Sequence, residues 1–91
     1  MKVRDLLTDE SKWTKGQLAK DKEGWRCAPD YKDAVCWCLY GAIYKCYPKA
    51  NERLSVDSLV GEQLGMEATI WNDHFDRTFR DVRDLVIKLN I

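Results

Sequence analysis

No hydrophobic run in the sequence approaches the length of a membrane-spanning helix. A helix that spans a membrane needs about 20 consecutive apolar residues, so we expect no transmembrane segment. The sequence begins Met-Lys-Val-Arg-Asp-Leu-Leu, which lacks the apolar centre of a secretory signal. These two absences predict a soluble chain that stays in the cytoplasm and has no membrane partner.

The sequence also lacks an excess of charge of either sign. Its 15 Lys and Arg residues balance 15 Asp and Glu residues, so the formal net charge is zero with the single His neutral. Proteins that bind nucleic acid without sequence preference usually carry a basic excess, whereas a protein that imitates DNA needs an acidic surface. We therefore expect no nucleic-acid partner.

Glycine and proline are scarce, at 5 and 2 residues, and no repeat or linker is visible. The chain is 45% hydrophobic and 33% charged, which is typical of a globular protein and excludes the disordered and collagen-like classes. A chain of 91 residues can bury enough surface for one hydrophobic core. We therefore predict a single compact domain over residues 1–91.

Hydrophobic spacing predicts a mainly helical α+β domain, with about four helices packed against a two-stranded β-hairpin. The hairpin pairs residues 15–20 with 25–28, and three of the helices cover about residues 2–9, 31–46 and 79–90. A further helix begins at a cap, Asn51 or Ser55, and ends at Gly65 in a left-handed conformation. Residues 66–71 are predicted to be briefly extended.

Two helix boundaries are predicted from capping residues. Asp30 or Asp33 caps the helix over 31–46, and Thr78 with Asp81 forms a capping box before the last helix. Gly41 lies inside the helix over 31–46, where glycine costs about 1 kcal/mol of helix propensity. We expect this cost to be offset by the close approach of another backbone.

The predicted core contains the apolar residues that recur on one side of each element. They are Leu6, Leu18, Val35, Cys38, Leu39, Ala42, Ile43, Leu59, Val60, Trp71, Phe79, Val82, Leu85 and Leu89.

Four thiols are present, at Cys27, Cys36, Cys38 and Cys46. Without a secretory signal, reduced thiols are the default. Zinc sites usually pair ligands two to four residues apart on a turn, but Cys36 and Cys38 on a helix would face opposite sides. We interpret the thiols as small buried hydrophobic residues and expect no metal and no cofactor.

Catalytic residues are equally hard to find. A pair of Cys27 with His74 is the candidate for nucleophilic chemistry, but no spacing connects the two residues. A glycine-rich loop that could bind phosphate is absent. We therefore predict that the protein is not an enzyme, and we keep a thiol enzyme as the weaker alternative.

Residues 71–78 form the most informative polar segment. The candidate ligand- or partner-binding residues are Trp13, Trp71, Asn72, Asp73, Arg77 and Thr78. The segment leads into a helix N-terminus, where free N–H groups and the helix dipole favour anions. In one interpretation Arg77 holds a carboxylate or phosphate, and Trp13 or Trp71 stacks on a base. In the other, the segment only caps the helix.

Three blocks of this sequence resemble a family of small uncharacterised proteins from bacteria and their phages, known only as a domain of unknown function. The blocks are Trp13-x-x-Gly16-x-x-Ala19-x-Asp21, Ala34-x-x-Trp37-Cys38-x-x-Gly41-Ala42 and Ile70-Trp71-Asn72-Asp73-x-x-x-Arg77-Thr78-x-x-x-Val82. The resemblance covers about residues 3–90. It implies a short accessory protein of bacterial or phage origin and transfers no activity or catalytic residue.

These features predict a non-enzymatic binding protein with a protein partner. One form of it is a phage-encoded modulator or inhibitor of a host defence protein, in the cytoplasm of a bacterial or infected host cell. The four tryptophans and four tyrosines either fill the core or anchor an interface, and a homodimer is compatible with them. The alternative is a protein that sequesters a small anionic ligand, such as a nucleotide signal.

Overall fold

Five α-helices and a three-stranded antiparallel sheet make up the computed structural model, which describes all 91 residues. The helices are α1 (Val3–Leu6), α2 (Leu39–Cys46), α3 (Ala50–Leu64), α4 (Ala68–Asp73) and α5 (Phe79–Leu89). The strands are β1 (Ala19–Asp21), β2 (Arg26–Cys27) and β3 (Ala34–Trp37), and a 3₁₀ turn covers Glu10–Lys12. The prediction of a mainly helical α+β domain is confirmed, but the structure has one helix and one strand more than predicted.

The third strand lies where the sequence predicted the start of a helix. The segment before Cys38 is strand β3, and α2 begins only at Leu39. β1 lies between β2 and β3, and β1 pairs Ala19 with Trp37 in β3. The apolar residues that predicted a helix over 31–46 fit a short strand equally well. The expected cap at Asp30 or Asp33 is therefore wrong, and Cys38 is the N-cap of α2.

The predictions for the C-terminal half are mostly confirmed. Gly65 ends α3 with a φ of 68°, and Thr78 and Asp81 form the capping box of α5. The α3 cap is wrong, because α3 starts one residue after Lys49. Residues 66–71 are not extended, because Ala68 begins α4. This short helix carries the first three residues of the polar segment 71–78.

The core lies where α1, α2, α3, α4 and α5 meet the inner face of the sheet. Its fully buried apolar side chains include Leu7, Leu39, Ile43, Val60 and Val82. Three predicted core residues are instead exposed, namely Leu18 (41%), Val35 (45%) and Leu59 (43%). Val35 sits at an irregularity of β3, where the pairing with β1 shifts by one residue, and Leu59 is adjacent to the buried Val60 on a helix that buries one side only.

The close backbone approach expected at Gly41 is confirmed. A Cβ atom at this position would overlap the carbonyl oxygen of Leu18 and lie 2.8 Å from its carbonyl carbon. The same Leu18 carbonyl accepts a hydrogen bond from Cys38 N at 3.1 Å. Glycine therefore lets the start of α2 rest directly on the chain entering β1. No helix in the structure is long and apolar enough to span a membrane.

Candidate functional site

Asn72 is fully buried and is the one buried polar side chain of the core. Its Oδ1 accepts hydrogen bonds from Trp13 Nε1 at 2.7 Å and from Leu39 N at 3.0 Å. Its Nδ2 donates to Thr14 O at 3.1 Å and to Asp73 Oδ1 at 3.0 Å. These four bonds use both donors and both lone pairs of the amide. We call Asn72 with Trp13, Thr14 and Leu39 the Asn72 hub.

The Asn72 hub also completes the N-terminus of α2. The first backbone N–H groups of a helix have no partner inside it, and Asn72 accepts the one on Leu39. Cys38 Sγ accepts the hydrogen bond of Gly41 N at 3.3 Å. A side chain from α4 therefore caps α2, which fixes the angle at which the two helices meet.

A second set of contacts holds residues 13–16 against the end of α4. Asp73 Oδ1 accepts a hydrogen bond from Gly16 N at 3.0 Å, where Gly16 has a φ of 80°. Lys15 Nζ donates to His74 O at 2.8 Å and lies 5.6 Å from the centre of the Trp13 ring. The ring of Trp13 packs against Phe79 at a centroid distance of 6.3 Å. Residues 13–16 are thus attached to α4 and to the start of α5.

The guanidinium of Arg77 lies over the indole ring of Trp71. Its guanidinium carbon is 3.9 Å from the ring centre, and its Nε donates to Trp71 O at 2.9 Å. Its Nη1 lies 4.0 Å from Asp81 Oδ2. Cation–π contact and hydrogen bonding together fix this side chain. Any anion that bound here would have to compete with Asp81 for the guanidinium.

Thr78 and Asp81 cap α5 reciprocally. Asp81 N donates to Thr78 Oγ1 at 3.2 Å, and Thr78 N donates to Asp81 Oδ2 at 3.0 Å. The hydrogen bond from the Thr78 backbone is the main cause that lowers the pKa of Asp81 below its usual value. The carboxylate therefore stays charged and complements the positive end of the helix dipole.

The structure divides the six candidate residues of the sequence into three groups. Trp13, Asn72 and Asp73 belong to the cluster around the buried amide, Trp71 pairs with Arg77, and Thr78 caps α5. Most of their polar groups are used within the fold, and every buried side-chain nitrogen and oxygen has a partner. Binding of a small anionic ligand by residues 72–78 stays a prediction.

The four thiols are free, and only Cys38 is buried. Cys36 is on β3 and Cys38 follows it in extended backbone, so the expectation that they face opposite sides of a helix is wrong. Burial is the first cause that raises the pKa of Cys27 and of Cys38 above the usual thiol value. A nucleophilic cysteine needs the opposite change. Cys27 on β2 forms no hydrogen bond with His74, and no group of three metal-binding side chains converges.

Cys46 carries the largest of the thiol shifts and makes the stability depend on pH. Burial raises the pKa of its thiol from 9.0 to about 11. Between pH 9 and pH 11 the thiol loses its proton in the unfolded chain and keeps it in the folded chain. The free energy of unfolding is therefore unaffected by this thiol below pH 9, and it falls as the pH rises to 11. We expect urea denaturation to give a midpoint that decreases over this range.

The matched variant for this prediction is Cys46→Ala. It removes the titrating thiol, so its midpoint should decrease less between pH 9 and pH 11 than that of the wild type. Cys27, Cys38 and Tyr47, whose pKa values are also raised by burial, would supply the slope that remains. Equal slopes in the two proteins would contradict the assignment to Cys46.

A group of exposed apolar side chains at one end of the sheet was missed by the sequence analysis. Trp25 is 72% exposed, Tyr31 44% and Val35 45%, and we call these three residues the sheet tip. Trp25 precedes β2 and pairs with Asp21 at the end of β1, where Asp21 N donates to Trp25 O at 2.9 Å. The only signal in the sequence was the surplus of aromatic residues, which does not say which of them are exposed.

The comparisons with known proteins agree with the extent of the resemblance seen in the sequence. No match was found among curated proteins or among solved structures. A family model described as "Family of unknown function (DUF6197)" matches residues 1–88. Since this match includes α1, the whole sheet, the Asn72 hub and nearly all of α5, the chain belongs to that family.

Proposed function

We propose that this protein acts by binding a partner protein through the sheet tip, without catalysing a reaction. The observation that carries the proposal is the exposure of Trp25, at 72% of its surface, beside Tyr31 and Val35. An apolar patch that a soluble fold leaves uncovered often marks an interaction site. Tryptophan and tyrosine are also the residue types that contribute most to protein interfaces.

The three residues share one end of the sheet. Asp21, which caps the turn by accepting the N–H of Trp25 at 3.0 Å, pairs with Ala34 across the β1–β3 ladder. Ala34 N donates to Tyr31 O at 3.0 Å, and Val35 follows Ala34 in β3. Trp25, Tyr31 and Val35 are therefore held by backbone bonds near the same sheet end. A rigid arrangement of this kind lowers the entropy cost of binding.

The neutral charge of the chain is compatible with a protein partner. A protein interface is depleted of charge at its centre and polar at its rim. Charged residues of both signs lie next to the sheet tip in the sequence, including Glu23, Arg26, Lys32 and Asp33. They would form the rim, and the aromatic residues would form the centre.

A finer form of the proposal names the partner class and the setting. The protein would be a bacterial or phage modulator that acts in the cytoplasm by occupying a host defence protein. The resemblance to small bacterial and phage proteins supports this form. The identity of a captured partner would decide it.

A capture experiment with matched variants tests the proposal. Immobilised wild-type protein is exposed to a lysate of its native cells beside the double variant Trp25→Ser and Tyr31→Ser. Both side chains are exposed, so the variant should keep its fold, which circular dichroism checks. We expect at least one protein that the wild type retains and that the double variant binds about tenfold less.

The control is a double variant that removes equally exposed apolar side chains elsewhere, Leu54→Ser and Phe75→Ser. It should retain the same protein as the wild type. If the two double variants capture the same proteins in the same amounts as the wild type, the sheet tip is not the binding surface. A captured second copy of this chain would make the interface that of a homodimer.

A further inference from the structure

β3 is an edge strand whose free side is only partly covered. In the order β2-β1-β3, its pairing partner β1 lies on one side only. On the other side, Trp13 forms a single parallel bridge with Trp37, and Thr14 N donates to Trp37 O at 3.1 Å. Before Trp13 the chain forms the 3₁₀ turn, which lies beside β3 without pairing with it. No strand therefore lies beside the first half of β3, at Ala34 and Val35.

A groove of about 560 Å³ is lined by this part of β3. We call it the edge groove, and its lining residues are Leu6, Ser11, Lys12, Ala34, Val35 and Trp37. Four of these six side chains are apolar, and the volume lies within the range of ligand-binding clefts. The groove follows β3 on one side and the 3₁₀ turn on the other.

Lys12 is the charged residue of the edge groove, and it forms no ion pair in the structure. The three ion pairs of the protein are Lys49–Glu52, Arg77–Asp81 and Arg80–Asp84. The carboxylate of Asp9, which is near in sequence, is engaged instead by the backbone N–H and the hydroxyl of Ser11. Lys12 is near enough to Asp9 to help lower the pKa of that carboxyl, but it forms an ion pair with no carboxylate of the chain, so its ammonium can pair with one from outside.

We propose that the edge groove binds an extended segment of a partner protein, which adds a short strand beside Val35 and places a carboxylate near Lys12. This inference rests on the proposed function, because Val35 belongs to both the sheet tip and the edge groove. An exposed strand edge is a template for an added strand, and pockets beside it select alternate side chains. The apolar lining favours a segment with an apolar residue at every second position.

The irregularity of β3 limits the length of the added strand. The pairing with β1 shifts by one residue between Cys36 and Ala34. Such a bulge bends the strand and interrupts a regular ladder, and Trp13 and Thr14 already occupy the edge at Trp37. The partner segment is therefore a few residues long. It lies beside Ala34 and Val35 and does not displace residues 13–14 from Trp37.

Selection from short random peptides displayed on phage tests the inference. The wild-type protein is expected to select peptides in which apolar residues alternate and an Asp or Glu lies on one side. The exposed Lys12 is changed in the variant Lys12→Glu, which should bind the selected peptides about tenfold more weakly because attraction becomes repulsion. The control Lys22→Glu makes the same change in the turn before β2, and it should bind like the wild type.

A second variant and an NMR measurement test the inference without relying on the charge of Lys12. Val35→Arg places a long charged side chain in the groove at an exposed position, and it should abolish binding while the protein stays folded. In two-dimensional NMR spectra, a bound peptide should shift the amide signals of residues 11–13 and 34–37 most. Signals that change mainly elsewhere would overturn the inference.

Three other outcomes also overturn it. They are the selection of no peptide, equal binding by Lys12→Glu and Lys22→Glu, and a wild-type homodimer that Val35→Arg dissociates. None of them removes the proposed function, since Trp25 and Tyr31 can capture a partner without the edge groove. Conversely, if the Trp25 and Tyr31 substitutions leave capture unaffected, the sheet tip is not the surface that binds the partner. The peptide experiments then test the edge groove separately.

Discussion

Replacing Asn72 with alanine is expected to lower the free energy of unfolding by about 4 kcal/mol. The substitution removes all four hydrogen bonds of a fully buried amide. It leaves the Trp13 indole N–H and the Leu39 N–H without an acceptor and Thr14 O without this donor. Each such group costs about 1–3 kcal/mol when buried. Urea denaturation followed by tryptophan fluorescence measures the change.

A second variant, Asn72→Asp, separates the two halves of the Asn72 hub. Aspartate keeps an oxygen that can accept from Trp13 and Leu39, but it has no N–H for Thr14 and adds a carboxylate beside Asp73. At pH 7 we expect a loss at least as large as that of Asn72→Ala, because the new carboxylate is buried against the Thr14 carbonyl oxygen and the Asp73 carboxylate. The loss should shrink at acidic pH, where a protonated carboxyl can donate a hydrogen bond to either acceptor.

The control for both variants is Asn51→Ala. Asn51 is exposed in the first turn of α3, so its replacement should change the free energy of unfolding by less than about 0.5 kcal/mol. If Asn72→Ala loses no more than this control, the Asn72 hub does not stabilise the fold.

The second large effect is expected at Gly41. In Gly41→Ala the new methyl group would overlap the carbonyl oxygen of Leu18 and lie 2.8 Å from its carbonyl carbon. Backbone atoms cannot rotate away as a side chain can, so α2 or the chain before β1 must shift. We expect a loss of about 3 kcal/mol in the free energy of unfolding, as for overpacked cores. Chemical denaturation measures it.

Gly61→Ala is the matched control, because Gly61 is also inside a helix. A Cβ atom there meets nothing nearer than Met66 O at 3.9 Å. Alanine has the higher helix propensity, so this variant should gain about 0.5–1 kcal/mol. The two identical substitutions thus have opposite expected signs. A gain for Gly41→Ala would mean that α2 does not rest on Leu18.

The features that could be predicted from the sequence depend on neighbours along the chain. The capping box of Thr78 and Asp81 and the left-handed Gly65 are decided within a few residues, and both are confirmed. β3 was missed because its apolar residues fit a helix or a strand locally. Its pairing with β1, which joins Ala19 to Trp37, decides between the two, and this contact is not visible in the sequence.

The candidate site could also be predicted only where it depends on neighbours along the chain. Residues 71–78 were recognised as a polar segment with special roles, but the interpretation as an anion site did not foresee that Asn72 would be buried. An asparagine after a tryptophan reads as a turn residue. Its actual partners, Trp13 and Leu39, are 59 and 33 residues away. The exposure of Trp25 could not be predicted either, because the sequence placed it in a strand over 25–28, whereas the structure has it in the turn before β2.

These separations have a consequence for the way the protein folds. The bonds of the Asn72 hub close loops of 59, 33 and 58 residues, and the entropy cost of closing a loop precedes the gain from its contact. Detaching Trp13 and Thr14 leaves part of the Asn72 amide without partners, and detaching Leu39 removes the cap of α2. We therefore expect residues 13–72 to unfold as one cooperative unit.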